Sequence, residues 1–565
     1  MPRNGPPARR TRRSDIFPSS ARAERPTPDN PDAPTAVTAP PQQATNVGAT
    51  TLDQPPRPSD NRDFFGHPRG LAVLFTTEMW ERFSFYGIRP LLILFMTAAL
   101  AEGGFGFERN AASAIVGIYA SSVYLSSLPG GWIADRLLGL RRAIFWGAVL
   151  ISAGHIAIGL SAFAHGRAVF FIGLVLIVLG TGLLKPNISA IVGDLYPEGG
   201  ARRDAGFSVF YMGINLGAFA GQIVTGLLGE KYGWHLGFGA AGVGMILGLV
   251  TYSFFAPRTL GTLGVERSRH PDPAVDTRQL RRGTLATLAA LGVLVLVIAL
   301  AAMGTIRLDP QAIAKSMTYV LVGIAVVYFA GLFALGGLTS DEKKRIAVIF
   351  VLFIFAAIFW AAFEQAPTSL NLFARDFTNR SVGGWEVPAT WFQSINSLFI
   401  IALAPVFGWI WTSLARRGID LSSPAKFSLG LLFTAIGFGL MIPAANFILA
   451  NNGAVKVSAW WLTASYLFQT FGELSLSPVG LSSMTKLSPR KYVGQMMGIW
   501  FLATSVGNLI AGLVGGHVDP EKLEQIPQLF TGTTVALAGA AILIALLIIP
   551  IRRMMATTAA SGGQA

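Results

Sequence analysis

The sequence predicts an all-α protein that crosses a membrane many times. Only 13% of its 565 residues are charged, against about 25% in a typical soluble domain. Hydrophobic residues make up 52% of the chain, and they form repeated stretches of about 20 residues, the length that a helix needs to cross a bilayer. Basic residues are concentrated in alternate connections between these stretches. These observations together predict a polytopic helical membrane protein.

The apolar residues fall into fourteen segments. An even number places both termini on one side of the membrane, and the basic connections place that side in the cytoplasm. The seventh and eighth segments contain few aromatic or polar residues, so we expect them to be lipid-facing additions between two sets of six. The segments lie near residues 69–101, 111–135, 142–163, 168–194, 205–229, 235–256, 284–304, 317–337, 345–375, 389–414, 426–447, 458–485, 492–516 and 529–551.

The two sets of six resemble each other weakly, which is typical of two-bundle membrane proteins with a site between the halves. Chance agreement is the alternative. Residues 1–62 are rich in proline and arginine, and this composition predicts a disordered cytoplasmic tail. The predicted domains are therefore this tail, an N-terminal six-helix bundle, a linker with two extra helices, a C-terminal six-helix bundle and a cytoplasmic tail, at residues 1–62, 63–257, 258–342, 343–553 and 554–565.

Several classes of function are excluded. The chain has no cysteine and only six scattered histidines, so we expect neither disulfides nor a metal site. A GxGxxG match at residues 237–242 lies inside a membrane segment, where close helix packing explains it better than a nucleotide. The net charge of +14 is dispersed among the loops and does not indicate nucleic-acid binding. No catalytic set is recognisable, so we predict that the protein is not an enzyme.

Three charged residues, Glu78, Glu81 and Arg82, lie within the first apolar segment. A charge at the centre of a membrane helix costs about 2.5–3.5 kcal/mol, so these groups need ion pairs, a water-filled cavity or both. Arg82 can pair with Glu78 one turn away. A purely structural salt bridge is the alternative, although it explains Arg82 and Arg89 less well, because they leave excess positive charge facing a cavity.

Lone charges also occur in later segments. Lys185, next to Pro186 in the fourth segment, needs a carboxylate partner unless its side chain extends to the cytoplasmic surface. Glu364 and Glu473 supply carboxylates in the second half. A ligand with one amino group and one carboxylate would fit between the halves. Candidates to line such a cavity, with helix packing as the alternative for each, are Tyr124, Asn215, Trp360, Asn396 and Trp500.

Several motifs identify a family. Residues 78–87 resemble the ExxERFxYYG signature of the proton-dependent oligopeptide transporters, the POT family of the major facilitator superfamily. Residues 130–136 resemble the superfamily's loop motif after the second helix, and residues 207–219 resemble the family's fifth-helix signature. Further matches in the same order lie at residues 185–187, 363–365, 391–394 and 472–478.

The resemblance implies the major facilitator fold, with two six-helix bundles and the two extra transmembrane helices that are found in bacterial members. It implies import of di- and tripeptides together with protons by alternating access, across a bacterial inner membrane. The expected partners are peptides, protons and the lipid bilayer, without nucleic acid and without any cofactor. We expect the protein to function as a monomer.

The resemblance also implies roles for individual residues. The proton-coupling residues would be Glu78, Glu81, Arg82 and Glu364, of which Glu364 would be the main proton site and would exchange a salt bridge with Arg89. The peptide carboxylate would contact Arg89 and Lys185, and its amine would contact Glu473. The rest of the pocket would be lined by Tyr86, Tyr124, Asn215, Asn396, Trp360, Ser477 and Trp500. The inner gate would be the pair Lys185–Glu473 and the outer gate the pair Arg109–Asp376.

Three positions depart from the family pattern: Phe85 replaces a tyrosine, Ser397 replaces a proline, and Asp376 replaces a glutamate. The first removes a hydroxyl beside the coupling residues, the second changes a helix bend, and the third shortens the outer gate. Two alternatives remain open. One is the same fold carrying nitrate, a peptidomimetic or a modified amino acid, and the other is a nutrient receptor that binds without transporting.

Overall fold

A computed structural model describes residues 62–163, 166–419 and 421–561, with side chains up to residue 554. These residues belong to one compact unit, Pro56–Ala565. Residues 1–61 of the predicted N-terminal tail lie outside the described residues, as do residues 562–565 of the predicted C-terminal tail. Within the described ranges the structure is almost entirely α-helical, as predicted.

In the described part of the chain, the helices form fourteen long segments, two of which are interrupted. The first six are α1 (Arg69–Thr97), α2 (Arg109–Ile133), α3 (Leu140–Leu160), α4 (Arg167–Asp194), α5 (Gly200–Tyr232) and α6 (Trp234–Thr259). The next two are α7 (Pro273–Ala302) and α8 (Pro310–Leu335). The remainder are α9 (Ser340–Phe363), α10 (Asn371–Phe377), α11 (Trp391–Arg416), α12 (Ser423–Gly439), α13 (Met441–Ala450), α14 (Trp460–Leu487), α15 (Val493–Val514) and α16 (Gln525–Ser561).

Short elements join these helices. π-Helical turns lie at Ala134–Leu138 and Ala366–Leu370, and 3-10 turns lie at Leu100–Glu102, Arg490–Tyr492 and Gly515–His517. Four two-residue strands form two small ladders: β1 (Thr378–Asn379) pairs in parallel with β4 (Val457–Ser458), and β2 (Ser381–Val382) pairs antiparallel with β3 (Trp385–Glu386). All four strands lie in the connections that follow α10 and α13.

Twelve helical segments of the described chain are long and apolar enough to span a membrane by length and composition. The two long helices that are not among them are α1 and α14. Helix α1 carries Glu78, Glu81, Arg82 and Arg89, and α14 carries Glu473 among several serines and threonines. The two long helices that do not qualify as spans by composition are therefore the ones that carry most of the predicted site charges.

Two predicted segments are broken rather than continuous. The apolar stretch 345–375 is divided into α9 and α10 by a π-helical turn that begins two residues after Glu364. Pro367 lacks an N–H to bond the carbonyl of Phe363, which explains the end of α9 at that residue. Pro443 stands in the same relation to Gly439, where α12 ends. The first of these breaks lies directly after a predicted site residue, Glu364.

Helices α7, α8 and α9 begin at well-defined caps. The carboxylate of Asp272 accepts hydrogen bonds from the backbone N–H groups of residues 274 and 275, and that of Asp309 does the same for residues 311 and 312. A proline follows each aspartate, at the helix position where no N–H is needed. Thr339 and Glu342 form a reciprocal capping box at α9.

The helices pack in two groups. Helices α1–α6 pack against one another, and α9–α16 form a second group. The two groups meet where α2 packs against α15 and where α5 packs against α11. Helix α8 lies against both α2 and α15, whereas α7 packs mainly on the π-helical turn that follows α2. This arrangement agrees with two six-helix bundles and two extra helices, although the domain boundaries themselves stay predictions.

The crossing of α2 and α15 is the most extensive contact between helices of the two groups. A Cβ atom at Gly117 would lie 2.7 Å from the carbonyl oxygen of Asn508 and 2.7 Å from Cα of Gly512. Beside this contact, the hydroxyl of Ser505 donates a hydrogen bond of 3.2 Å to the carbonyl of Ser121. Small residues at this crossing allow the two backbones to touch.

We predict that Gly117→Ala destabilises the protein because its methyl group has no space between α2 and α15. Overpacking of this kind costs about 1–3 kcal/mol, and it should lower the thermal unfolding temperature in detergent. The matched control is Gly323→Ala on α8, where a Cβ atom meets nothing within 4 Å. An unfolding temperature of the Gly117 variant equal to that of the control would contradict this account of the crossing.

Candidate functional site

The charges of α1 form a buried cluster. Nε of Arg82 lies 3.1 Å from a carboxylate oxygen of Glu78, and its Nη2 pairs with the carboxylate of Glu81. All three side chains are at most 3% exposed. The spacing of four residues places Glu78 on the same face of the helix as Arg82. The pairing of Arg82 with Glu78 predicted from this spacing is present, and Glu81 joins it.

A second ion pair joins the two groups of helices. Nη2 of Arg89, on α1, pairs with the carboxylate of Glu364, at the end of α9. The same nitrogen lies 3.4 Å from Oδ1 of Asn508 on α15. Arg89 and Glu364 are only 5% and 6% exposed, so each charge depends on the other in surroundings where an unpaired ion is costly.

Phe85 lies between the two arginines. Its ring centroid is 5.2 Å from the guanidinium carbon of Arg82 and 5.5 Å from that of Arg89. Cation–π contacts of this kind stabilise a partly desolvated guanidinium. The departure from tyrosine therefore keeps an aromatic face for both arginines while removing the hydroxyl. The ring of Tyr86 is 5.9 Å from Arg82 and completes this aromatic environment.

The predicted inner gate is not formed in this structure. Nζ of Lys185 lies 4.0 Å from the ring centroid of Tyr124. The carboxylate of Glu473 accepts a hydrogen bond of 3.2 Å from Asn396, whose amide also donates to Thr470. Among the residues that the structure describes, neither Lys185 nor Glu473 has an ion-pair partner within 4.0 Å. Both charges are therefore available to a ligand.

Arg109 and Asp376, the two residues assigned to the outer gate, form an ion pair in this structure. Nη1 of Arg109, at the start of α2, lies 2.6 Å from Oδ2 of Asp376 on α10. Arg375 also pairs with Asp376, at 2.8 Å, and donates a hydrogen bond to Thr97 at the end of α1. Asp519 lies 3.7 Å from Arg109 on its other side. The shorter aspartate thus reaches its arginine within a network of four charges.

The remaining predicted pocket residues have different surroundings. Asn215 donates a hydrogen bond to the carbonyl of Tyr211 in its own helix, α5. The indole nitrogen of Trp360 is buried, and no hydrogen-bond partner for it exists among the described residues. Trp500 packs its ring on Gly480. Ser477 is half-buried on α14, and Ser397 is buried within the continuous helix α11.

The structure adds residues that the sequence-based predictions missed. Asn508 contacts Arg89 from α15, and its own amide donates to Thr504. Glu230, at the end of α5, accepts hydrogen bonds from the N–H of Ala389, the N–H of Thr390 and the hydroxyl of Thr390, at 2.8, 2.9 and 2.7 Å. The sequence did contain a signal for both residues, because each is a polar residue inside or at the end of an apolar helix. Apart from Thr504, the partners of these two residues lie 159 or more positions away in the sequence.

The chemistry that these charged groups can perform is an exchange of ion-pair partners, without any change in covalent bonds. Protonation of a carboxylate in a buried pair removes the attraction and frees the cation for another anion. In the described ranges, no group of three His, Cys, Asp or Glu residues is placed to hold a metal ion. The geometry therefore supports exchange of ion pairs between two packed groups of helices.

Comparison with known proteins identifies the family. The model of the POT family matches residues 141–529. The peptide transporter YePEPT of Yersinia enterocolitica is 50% identical to the chain over 497 residues, which are 88% of this chain and 97% of that protein. A di-/tripeptide transporter of Lactococcus lactis is 39% identical over 461 residues, which are 80% of this chain and 89% of that protein.

A solved structure confirms the fold. A POT family transporter crystallised in complex with a thioalcohol conjugated peptide superimposes with a TM-score of 0.78 at 34% identity, over 87% of this chain and 98% of that chain. The predicted fold class, two six-helix bundles with two extra transmembrane helices, is thus confirmed, and the protein is a multi-pass membrane protein. The chain belongs to the POT family, the proton-dependent oligopeptide transporters of the major facilitator superfamily.

Proposed function

We propose that the protein is a symporter that imports di- and tripeptides together with protons by alternating access. The observation that carries the proposal is the buried pair Arg89–Glu364, which joins α1 to α9 across the two groups of helices. The relatives described above, a peptide transporter and a di-/tripeptide transporter, support the same cargo. The other contacts of the site can be assigned to binding of the peptide and of the proton.

The end charges of a peptide have complementary groups in the site. The carboxylate of Glu473 has no cationic partner among the described residues, and it is held in place by Asn396. It is the proposed contact of the peptide amine. Lys185 likewise has no anionic partner in the described chain, and we assign it, with Arg89, to the peptide carboxylate. The free indole N–H of Trp360 suits a carbonyl oxygen of the peptide backbone.

Glu364 is the proposed proton site. A proton on its carboxylate would neutralise the charge that holds Arg89, and the released guanidinium could then bind the peptide carboxylate. Arg82 with its two carboxylates would transmit this change along α1, because Phe85 touches both arginines. The order of events is therefore protonation, release of Arg89, and closure of the two groups of helices around the peptide.

The balance of charges supports coupling to protons. The predicted site holds four carboxylates and three cations, so it carries one excess negative charge when all are ionised. One bound proton removes this excess, whereas a peptide with opposite end charges adds none. A neutral site costs less to move between the two faces of the membrane than a charged one. The groups are Glu78, Glu81, Glu364, Glu473, Arg82, Arg89 and Lys185.

The two gates define the proposed conformation. The outer pair Arg109–Asp376 is closed, while the inner pair Lys185–Glu473 is not formed. This combination corresponds to a state open to the cytoplasm. We place the protein in a bacterial inner membrane with both termini in the cytoplasm, because the basic connections then lie inside. In this proposal a monomer suffices, and protons rather than a cofactor drive uptake.

Two alternatives remain, and each has a discriminating observation. A nitrate carrier would have no use for Glu473, because nitrate has no amine. A nutrient receptor would bind peptide without moving protons, so peptide would cause no acidification inside liposomes. Because a nitrate carrier of the same fold would also pair Arg89 with Glu364, this pair favours transport over a receptor and Glu473 favours a peptide.

We predict that Glu364→Gln abolishes accumulation of dialanine driven by an acid-outside pH gradient in proteoliposomes, because the amide cannot take up a proton. Exchange of peptide across the membrane at equal pH should persist. The matched control is Glu266→Gln, an exposed acid in the connection after α6. A Glu364 variant that concentrates peptide as well as wild type would remove this residue from proton coupling.

We predict that Glu473→Gln raises the KM for dialanine by about 30-fold or more, since loss of one partner of a desolvated charge pair costs about 2 kcal/mol or more. N-acetyl-dialanine, which lacks the amine, should be transported poorly by wild type and no worse by the variant. Nitrate uptake, if present at all, should be unchanged. An equal loss for both peptides would show that Glu473 does not contact the amine.

We predict that Asn508→Ala reduces the rate of proton-driven uptake by about fivefold, the equivalent of about 1 kcal/mol for one hydrogen bond to Arg89. Arg89→Lys should reduce it further, because an ammonium cannot reproduce the planar contacts of a guanidinium. Asn451→Ala is the matched control, since its amide bonds only its own helix. Asn508 has no part in positioning Arg89 if its variant transports like this control.

A further inference from the structure

A cavity of about 430 Å³ lies between the π-helical turn after α2 and the first half of α7. It is separate from the peptide site, and three arginines face it. Its lining includes Trp132 and Arg136 from the region of the turn, Arg267 from the connection after α6, and Asp276, Arg282 and Gly283 from α7. None of these residues takes part in the proposed transport of peptide and protons.

The backbone holds the walls of this cavity together. The N–H of Ser268 donates a hydrogen bond of 2.7 Å to the carbonyl of Asp135, and the N–H of Arg141 donates one of 2.8 Å to the carbonyl of Gly264. On α7, a Cβ atom at Gly283 would lie 2.6 Å from the ring of Trp132. The absence of that atom allows α7 to lie directly on the indole.

The cavity has an excess of positive charge. The guanidinium of Arg267 makes two hydrogen bonds with the carboxylate of Asp276, at 3.0 and 2.6 Å, and this pair is satisfied. Arg136 and Arg282 have no acidic partner within 4.0 Å among the described residues. Two positive charges therefore face the cavity without compensation, and two guanidinium groups suit the oxygens of a phosphate.

The surroundings of the cavity point to a lipid as the source of the phosphate. Trp132 is 46% exposed, as is usual for an indole at the boundary between headgroups and acyl chains. One turn further along α7, Leu285 and Leu288 are 57% and 59% exposed and apolar, so they would face acyl chains. The cavity opens where the chain passes from basic connections to apolar helices.

We propose that this cavity binds the phosphate group of an anionic phospholipid, with Arg136 and Arg282 as its ligands. The acyl chains would then extend along the exposed apolar face of α7. The extra helix, which packs mainly on the turn after α2, would be held there by the lipid. Basic pockets between membrane helices on the cytoplasmic side are favourable sites for such headgroups.

Native mass spectrometry of the full chain in detergent tests the proposal, with phosphatidylglycerol as the probe. Wild type should retain phosphatidylglycerol more strongly than zwitterionic phosphatidylcholine. Each of Arg136→Gln and Arg282→Gln should weaken retention about fivefold, and the double variant about 25-fold. Arg281→Gln and Arg278→Gln are matched controls, because these exposed arginines of α7 do not line the cavity.

Each of the other outcomes would overturn the proposal. A double variant that retains phosphatidylglycerol like the controls would exclude this cavity as the site. Equal retention of phosphatidylcholine would exclude selection for an anionic lipid. Binding of inorganic phosphate with displacement of the lipid would show a site for a soluble anion instead. The double variant Arg136→Lys and Arg282→Lys keeps both charges and should retain the lipid. It is the control for loss of lipid binding that is caused by misfolding.

Discussion

The structure depends on one constraint: a charge inside the membrane must have a partner, and here the partner of Arg89 lies in the other group of helices. Because Glu364 ends α9 at a break caused by Pro367, its carboxylate is presented at the junction instead of along a continuous helix. The contact with Asn508 fixes the same guanidinium from a third helix. A change in the charge of one carboxylate therefore acts directly on how the two groups of helices are held together.

The two faces of the molecule differ in how their charges are satisfied. Towards the predicted outer face, Arg109, Arg375, Asp376 and Asp519 form a closed network, and Glu230 joins the end of α5 to the start of α11. Between these contacts and the predicted inner face, the ammonium of Lys185 lies over the ring of Tyr124, and among the described residues no carboxylate is within 4.0 Å of it. In the proposed function, the ion pairs of the first set keep the outer side closed, and Lys185 and Glu473 bind the two end charges of the peptide.

The two extra helices are attached differently. Helix α8 lies against α2 and α15, and the hydroxyl of Tyr328 donates a hydrogen bond of 2.6 Å to Gln495 near the start of α15. Helix α7 has Gly283 as its one buried residue in the described structure. It contacts the rest of the protein mainly through the π-helical turn after α2, beside Trp132 and the proposed lipid cavity. A lipid phosphate bound in that cavity would therefore add to a small protein contact.

The sequence by itself determined the membrane class, the fourteen apolar segments and most of the charges of the candidate site, because charged residues inside apolar stretches are rare and visible without a structure. The family motifs supplied the fold and the pairing of Arg89 with Glu364. Local spacing was sufficient to predict the ion pair between Arg82 and Glu78, since residues four apart are neighbours on one face of a helix. The caps of α7 and α8 are also local, because each is an aspartate followed directly by a proline.

Only the tertiary structure decided which distant groups meet. Asn508 and Arg89 are separated by 419 positions, and Glu230 and Thr390 by 160, so no periodicity connects them. The interruptions at Pro367 and Pro443 also required the structure, because Pro90, Pro186 and Pro478 lie inside helices that continue. A proline removes the same hydrogen bond in every case, and the packing of neighbouring helices decides whether the helix ends there.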